Sequence, residues 1–449
     1  MGCRDLAKIM EVVATTLLTS GSATIIASLF GIPLGAWLSS LKNPLVVKPL
    51  KVLVRTLYGL PPVVVGIWIY LLLSKEGLFS DLEWLFTING MIMAQTVLVF
   101  PLVLGFSWFS FDSVNREYGA TIFMTGASKY QSFWLKVSLA RRGVVQGVAL
   151  AFSRAIAEVG AVMMIGGNIA GQTRVMTTSI LLETSKGELG VASILGIQLL
   201  ILSMAVMVLT LDLPFTLKTN KKMIDGLVPK SNNFDKMVIE KLGVELDGEK
   251  ILQDISMEIN GGEIIVVLGE SGSGKSTLLN ALSGLVESSG QITGLPVIGP
   301  GGMMMVFQDQ VALKPTVNSE FLLPANLHNL EGCGLNLLKM VGLEHLENRS
   351  IDSLSGGERQ RILFVRNLAV APSLLLLDEF TSNLDGASIE VLEEVVSNHR
   401  KSGGAAIIVT HNILQAKRLA DKILFLHKGK LVSENSGAAK SLVSGKWSG

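Results

Sequence analysis

Two hydrophobic patterns divide the chain near residue 213. Before that point, long apolar runs dominate. After a polar stretch, PFTLKTNKKMIDGLVPKSNNFDK, apolar strand-like segments alternate with helix-like ones. The first part predicts five membrane spans, at residues 12–38, 52–73, 87–108, 144–165 and 189–209, each near the ~20 residues that an α-helix needs to cross a bilayer. The expected domains are a membrane bundle over 12–213, a linker over 214–236 and an α/β domain over 237–449. Gly31 and Gly35 form a GxxxG pair in the first span, and Pro61-Pro62 interrupts the second. Both fit ordinary packing between membrane helices, where small residues allow close approach and Pro kinks are tolerated.

Charge orients the bundle. Lys42, Lys48, Lys51 and Arg55 follow span one, and Arg116, Lys129, Lys136, Arg141 and Arg142 follow span three. Lys218, Lys221 and Lys222 follow span five. The positive-inside rule makes these three regions cytoplasmic. The loop with Glu76, Asp81 and Glu83 and the segment 166–188 are then outside, as is the N-terminus, although Arg4 and Lys8 pull the other way.

Composition agrees with a partly embedded protein. Only 17% of the residues are charged and 49% are hydrophobic, against about 25% charged in ordinary soluble domains; mean hydropathy is +0.49. A net charge of +1 gives no support for nucleic-acid binding. The two cysteines, Cys3 and Cys333, suggest neither a disulfide framework nor a metal site. The first residues, MGCRDLAKIM, lack the order of a secretory signal, and Leu6 breaks the myristoylation pattern.

The second half carries the chemistry. EIIVVLGESGSGKSTLLN reads as a strand, a Gly-rich loop and a helix, and Gly269, Glu270, Ser271, Gly272, Ser273, Gly274, Lys275 and Ser276 fit G-x-x-x-x-G-K-[ST], with Thr277 next. Glycines let backbone N–H groups close around phosphates, and the helix N-terminus adds its dipole. Lys275 is expected to reach the β- and γ-phosphates of ATP and Ser276 to ligate Mg2+. The apolar strand SLLLLDEF ends in Asp378 and Glu379, which suit magnesium binding and water activation. Gln308 follows the strand MMMVF, LSGGERQR spans 354–361, and His411 follows AAIIVT.

In that order these motifs resemble the ATPase domain of the ABC transporter family, over roughly residues 237–449. The resemblance implies ATP held between two such domains, with Ser355, Gly356 and Gly357 contributed across the seam. It implies that Gln308 senses magnesium and the attacking water, that His411 contacts the γ-phosphate, and that Ser382-Asn383-Leu384-Asp385 is the D-loop at the dimer contact. Asn383 stands where a smaller residue is usual, and Asp247 lies where the family places an adenine-stacking aromatic. On that resemblance, the length given after His411 is not expected to hold the extra C-terminal regulatory domain of some oxyanion importers.

After span three, REYGATIFMTGASKYQSFWLKVSL resembles the cytoplasmic coupling loop of ABC importers around Gly126-Ala127-Ser128, with Ala120 and Ala140 where the family has Glu and Pro. A basic amphipathic loop at the membrane surface is the plainer alternative. Span four carries Arg154 and Glu158, four residues apart on one helix face. Each would cost roughly 2.5–3.5 kcal/mol facing lipid, so they should face each other or the bundle interior, as a packing pair or as part of a pathway. Gly166-Gly167-Asn168 breaks the helix; Thr173, Arg174, Thr177 and Thr178 then offer hydroxyl donors and a positive charge suited to a tetrahedral oxyanion.

The stretch SRAIAEVGAVMMIGGNIAGQTRVMTTSILLETSKGELG is similar to permeases of the tungstate importer group, relatives of molybdate and sulfate permeases. The resemblance implies an all-α permease of the type I importer class fused to an α/β P-loop ATPase, multi-pass in the cell membrane with its ATPase domain in the cytoplasm. It also implies an extracellular oxyanion-binding protein as partner, and a homodimer with two ATP sites and one pathway. A molybdate or sulfate importer is the nearest alternative; an ABC exporter half fits five spans less well.

Overall fold

The computed structural model describes residues 3–211, 234–328, 334–382 and 384–437. They form two compact units. Residues 3–116 and 136–211 make up the first; residues 117–135 group with 234–437 in the second. The expected linker lies almost wholly outside the described residues, as do Asn383 and Cys333.

The first unit is helical. Its helices are α1 (Cys3–Leu38), α2 (Pro44–Leu57), α3 (Pro62–Leu73), α4 (Ile88–Met124), α5 (Lys129–Ile156), α6 (Gly160–Gly166), α7 (Met176–Ser185) and α8 (Leu189–Leu211). Three stretches are long and apolar enough to cross a membrane: Ile9–Leu38, Ile88–Met124 and Leu189–Thr210. Two further spans arise only if each bent pair counts as one, α2 with α3 at 94° and α5 with α6 at 58°. The first bend follows from sequence. Pro61 and Pro62 disfavour helix in the residues before them, and Pro62 is at home in the first turn of α3.

The glycine pair of α1 lies against α4. A Cβ on Gly35 would fall 2.8 Å from Ser107 Cβ and from the Trp108 backbone nitrogen; one on Gly31 would fall 3.1 Å from Val103 Cγ1. Any larger residue at 35 would push the two helices apart.

Two expectations need correction. The region after span three is not a long loop: α4 runs 37 residues, about 55 Å at 1.5 Å per residue. Its polar turns are held by Asp112, which accepts from Lys51 Nζ at 2.8 Å and pairs with Arg116 at 3.2 Å. Only 125–128 leave helical geometry before α5 starts. There Ser128 and Gln131 cap reciprocally, with Ser128 N–H donating to Gln131 Oε1 at 2.8 Å and Gln131 N–H to Ser128 Oγ at 3.3 Å. Span four also breaks earlier than expected, between Ile156 and Gly160, so Arg154 and Glu158 are not on one helix.

The second unit is α/β. Its strands are β1 (Lys236–Leu246), β2 (Glu249–Asn260), β3 (Ile264–Gly269), β4 (Ser289–Thr293), β5 (Met303–Val306), β6 (Leu374–Asp378), β7 (Ala405–Thr410), β8 (Lys422–His427) and β9 (Lys430–Val432). Its helices are α9 (Lys275–Leu282), α10 (Val317–His328), α11 (Gly334–Met340), α12 (Gly356–Arg366), α13 (Gly386–Lys401) and α14 (Ile413–Leu419). One sheet has the order β2-β1-β4, all antiparallel; the other has the order β5-β6-β7-β3-β8-β9, parallel except for β9. The β1–β2 hairpin turns on Asp247 and Gly248, at φ 51° and 83°, the two left-handed residues of a tight hairpin turn. IIVVLG, LLLLD and AAIIVT are buried at every position, as expected of parallel strands covered on both faces. This puts the C-terminal ends of β3, β6 and β7 side by side, where Gly269, Asp378 and Thr410 emerge.

A buried histidine gives this unit a pH signature. His399 on α13 is 8% exposed, and its Nε2–H donates to the Ala405 carbonyl at 3.3 Å. Burial lowers its pKa to about 4, partly opposed by that hydrogen bond, whereas an unfolded histidine titrates near 6.5. Between these values the unfolded chain binds more protons, so stability rises with pH. The contribution is fully present above about pH 6.5 and is lost as pH falls towards 4; the upper bound is ~3 kcal/mol. Unfolding midpoints from pH 4 to 8 should flatten in His399→Gln; an unchanged slope would remove His399 as the cause.

Candidate nucleotide site

The phosphate loop joins β3 to α9. Gly272 and Gly274 stand at φ 77° and 100°. The space where a Cβ on Gly272 would sit is open, whereas one on Gly274 would meet Leu252 Cδ2 at 2.8 Å. Gly269 packs so closely that a Cβ would be 2.5 Å from the Leu426 carbonyl oxygen. Lys275 is buried and donates from Nζ to the Gly269 and Glu270 carbonyls, both at 2.9 Å. Burial lowers its pKa, and the carboxylates of Glu379 and Asp378 act against that shift. Ser276 Oγ donates to Asp378 Oδ1 at 3.1 Å. Asp378 is pushed up by burial, with the Ser276 hydrogen bond opposing.

The residues present fit a nucleotide's phosphates. Among the described residues, the N–H groups of Gly274, Lys275, Ser276 and Thr277 have no acceptor, and Ser273 Oγ is buried without a partner. Lys275 has one N–H left over. Glu270 and Ser271 form the rim of the same loop, with Ser271 exposed. For a divalent cation the fit is partial by design: among the described residues no cluster of three His, Cys, Asp or Glu could hold one alone. The Ser276–Asp378 oxygen pair could supply the one or two ligands that Mg2+ takes from protein when phosphates and water complete its shell.

Glu379 follows β6 at φ 41°, a left-handed conformation that costs a non-glycine residue roughly 1–2 kcal/mol. Its N–H donates to the Val409 carbonyl at 3.0 Å, which fixes the turn. Its Oε1 lies 3.2 Å from His411 Nδ1. Two residues called from separate strands thus meet at one point. Gln308 comes two residues after β5 and is exposed; among the described residues no hydrogen bond ties it to the other site residues.

The signature segment lies elsewhere in the unit. Ser355 caps α12: its Oγ donates to Glu358 Oε2 at 2.8 Å, and the Ser355 N–H donates to the same oxygen at 2.9 Å. These bonds hold Glu358 below the usual carboxylate range. Ser355 and Gly356 are exposed, and a Cβ on Gly357 would lie 3.7 Å from Leu384 Cδ2 and 3.8 Å from Ser388 Oγ. Asp385 caps α13 by accepting from the Ser388 N–H at 2.9 Å, and hydrogen bonding to the Ser388 side chain first, then to this N–H, lowers its pKa. Among the described residues no hydrogen bond links Ser355, Gly356, Gly357 or Asp385 to the phosphate loop.

Residues 117–135 meet this unit at an edge that the sequence reading did not resolve into contacts. His328 Nε2–H donates to the Thr125 carbonyl at 2.7 Å, and Gln131 Nε2 donates to the Leu327 carbonyl at 2.7 Å. Gly126, at φ 67°, lies so close that a Cβ would be 2.9 Å from Gly299 Cα. A further missed element is the buried pair Glu320–Arg366 between α10 and α12. Glu320 also accepts from the N–H groups of Leu313 and Lys314, at 3.0 and 2.6 Å, just after Gln308 in the chain.

In the helical unit the expected pair fails. Arg154 is exposed; Glu158 is buried beyond the end of α5, where its Oε1 accepts from the Ala161 N–H at 3.2 Å and caps α6. The threonines are also not free donors. Thr173 Oγ1 donates to the Gly166 carbonyl, Thr177 Oγ1 to the Glu158 carbonyl at 2.8 Å, and Thr178 Oγ1 to the Val175 carbonyl at 3.1 Å. Broken helices free backbone groups that lipid cannot satisfy, and these side chains satisfy them. Thr16 and Gln95 do the same work unforeseen, Thr16 Oγ1 accepting from the Met176 N–H at 2.9 Å and Gln95 Nε2 donating to the Ala155 carbonyl at 3.0 Å. Arg174 donates from Nε and Nη2 to Asn168 Oδ1 and O, at 3.2 and 3.3 Å, and no carboxylate pairs with it among the described residues.

The family model described as "ABC transporter" matches residues 252–382. The tungstate uptake system permease protein TupB of Peptoclostridium acidaminophilum is 36% identical over 203 residues, 44% of this chain and 87% of that protein. The tungstate uptake system ATP-binding protein TupC of the same organism is 33% identical over 208 residues, 43% of this chain and 96% of that protein. The taurine import ATP-binding protein TauB of Yersinia pestis bv. Antiqua (strain Antiqua) is 39% identical over 202 residues, 42% of this chain and 79% of that protein.

Proposed function

Because this chain belongs to the ABC transporter family, we propose that it imports an inorganic oxyanion, tungstate first, as a homodimer of fused permease and ATPase halves fed by an extracellular binding protein. One observation carries the reading: a permease protein and an ATP-binding protein of one tungstate uptake system each align over most of their length with parts of this single chain. The taurine-import relative is an ATP-binding protein, and a motor subunit does not choose the cargo. Molybdate and sulfate remain competitors, since they differ from tungstate by small changes in an otherwise similar tetrahedral ion.

The site geometry supports two ATP sites per dimer. Within one chain, the phosphate loop has its donors free while Ser355 and Gly356 are exposed with no bond to it. A second copy supplies what is missing. Bound ATP with Mg2+ would furnish a γ-phosphoryl group open to attack by water. Glu379, left-handed and anchored to Val409, is the base that takes the proton from that water. His411, at 3.2 Å from Glu379, orients the carboxylate and reaches towards the γ-phosphate. Lys275, held by two carbonyls, directs its remaining N–H and its charge at the phosphates. Asp378 and Ser276 would hold the cation, which would shield the charge on the phosphates. The side-chain bonds from Gln131 to the Leu327 carbonyl and from His328 to the Thr125 carbonyl join residues 117–135 to the segment ending in α10, which gives nucleotide-driven movement a route to the ends of α4 and α5 within 117–135. Arg174 is the fixed charge best suited to draw an anion, with Asn168 holding it in place.

The test is uptake. Cells or proteoliposomes carrying the full chain and a tungstate-binding protein should accumulate tungstate only with ATP, and excess tungstate should compete better than molybdate or sulfate. ATP turnover that continues without accumulation of any of the three ions would refute the proposal.

A further inference from the structure

A cleft of about 430 Å³ lies in the helical unit, and none of its lining residues belongs to α5, α6 or α7. Its walls come from α2 and α4. Lys51, Arg55 and Arg116 bring three positive charges to it, and Asp112 brings one negative. Asp112 is shared, taking Lys51 at 2.8 Å and Arg116 at 3.2 Å. Lys51 Nζ also sits 5.5 Å from the centre of the Trp108 ring, which fixes it at the wall. Arg55 has no acidic partner among the described residues. The cleft therefore keeps a charge of about +2, with an unpaired guanidinium at its edge.

Aromatic rings line it as well. Tyr58 stacks on Phe106 at 6.3 Å between ring centres. Its hydroxyl occupies space that only a glycine at 105 can leave, since a Cβ there would overlap it. That hydroxyl has no hydrogen-bond partner among the described residues. A phenol donor, a guanidinium fork and an ammonium arranged over an aromatic wall match a tetrahedral oxyanion group, for which charge-assisted N–H···O and O–H···O bonds are the strong contacts.

We propose that this cleft binds a phosphate-type oxyanion group through Arg55, Tyr58 and Lys51, as a site separate from transport and from ATP. Two sources carry such a group: the headgroup of an anionic phospholipid, for which basic pockets between membrane helices are suited, and a free oxyanion in solution. Leu45, Val52 and Leu53 on α2 are exposed apolar side chains near the cleft in sequence, so an acyl chain would find a surface beside it.

The experiment uses the purified full chain. In one arm, native mass spectrometry counts phosphatidylglycerol retained against phosphatidylcholine. In the other, equilibrium dialysis with elemental analysis counts inorganic phosphate or tungstate bound without nucleotide. Arg55→Gln should weaken the bound probe roughly tenfold or more, as expected for a lost charge-assisted bond; Tyr58→Phe should weaken it less, and Arg55→Lys should restore part of it. Retention of phosphatidylglycerol alone assigns the headgroup, and binding of the free ion alone assigns the soluble anion. If Arg55→Gln and Tyr58→Phe both bind every probe as the parent does, or the parent binds none, the cleft is not an anion site. Since ATP-dependent tungstate uptake is read separately, either proposal can fail without the other.

Discussion

Glu379→Gln is expected to abolish ATP turnover while leaving ATP binding intact. The substitution keeps the shape of the side chain and its contact with His411 Nδ1, now 3.2 Å from the carboxylate. It removes the carboxylate that is proposed to accept the proton, whereas Asp378 stays engaged with Ser276. General-base assistance contributes typically about 10²–10⁴-fold, so phosphate release should fall by roughly that factor. None of the groups that grip phosphate is touched: Lys275, the free N–H groups of α9 and Ser273 remain as they are. Nucleotide should therefore still bind with near-parental affinity, and the paired form should accumulate because closure is no longer relieved by hydrolysis. Phosphate release, a fluorescent nucleotide titration and size-exclusion chromatography with ATP read the three consequences. Turnover within about twofold of the parent would show that Glu379 is not the base.

Most of the nucleotide site was legible because its motifs are local. A glycine loop after an apolar strand, or two carboxylates ending one, encodes its own geometry within a few residues. The parallel sheet then brings Gly269, Asp378 and Thr410 to one edge, and Glu379 meets His411 as a result. Five hydrophobic runs were equally legible, yet two of them are bent. Pro61-Pro62 announced the first bend. The second had no such signal: nothing in AIAEVG marks a helix end, and the break is set by what Glu158 and Gln95 can satisfy.

Helical periodicity put Arg154 and Glu158 on one face only because it assumed a continuous helix. With the helix ended at Ile156, Glu158 becomes a cap, and the same reasoning explains the threonines. Spacing alone shows that a hydroxyl is present, not which carbonyl it will bond. The extent of α4 was underestimated for a different reason. FDSVNREYG reads as polar loop on hydropathy, but it contains no proline, and Asp112 with Lys51 and Arg116 keeps its turns helical outside any apolar run. Hydropathy finds where a helix can sit in lipid; it does not find where the helix stops.

The second large effect is expected at Glu320, whose importance rests on burial across 46 residues of sequence separation. Glu320 is fully buried and Arg366 nearly so. The carboxylate also holds the N–H groups of Leu313 and Lys314, and Arg366 donates to the Val311 carbonyl at 3.4 Å. The pair therefore ties the segment after Gln308 to the helix that begins at the signature. Removing one partner of a buried ion pair leaves the other uncompensated and costs about 3–5 kcal/mol, a large part of the ~5–15 kcal/mol that holds a domain folded. Glu320→Ala and Arg366→Ala should each lower the unfolding free energy of the detergent-solubilised chain, read from urea titrations, by that amount. A Glu320→Leu, Arg366→Met double variant should lose less than the sum, because neither charge is then stranded. Its ATP turnover should still drop, since 311–314 lose their anchor while the fold survives. A Glu320→Ala protein within about 1 kcal/mol of the parent would mean that water reaches Arg366, and that the segment behind Gln308 is held by something else.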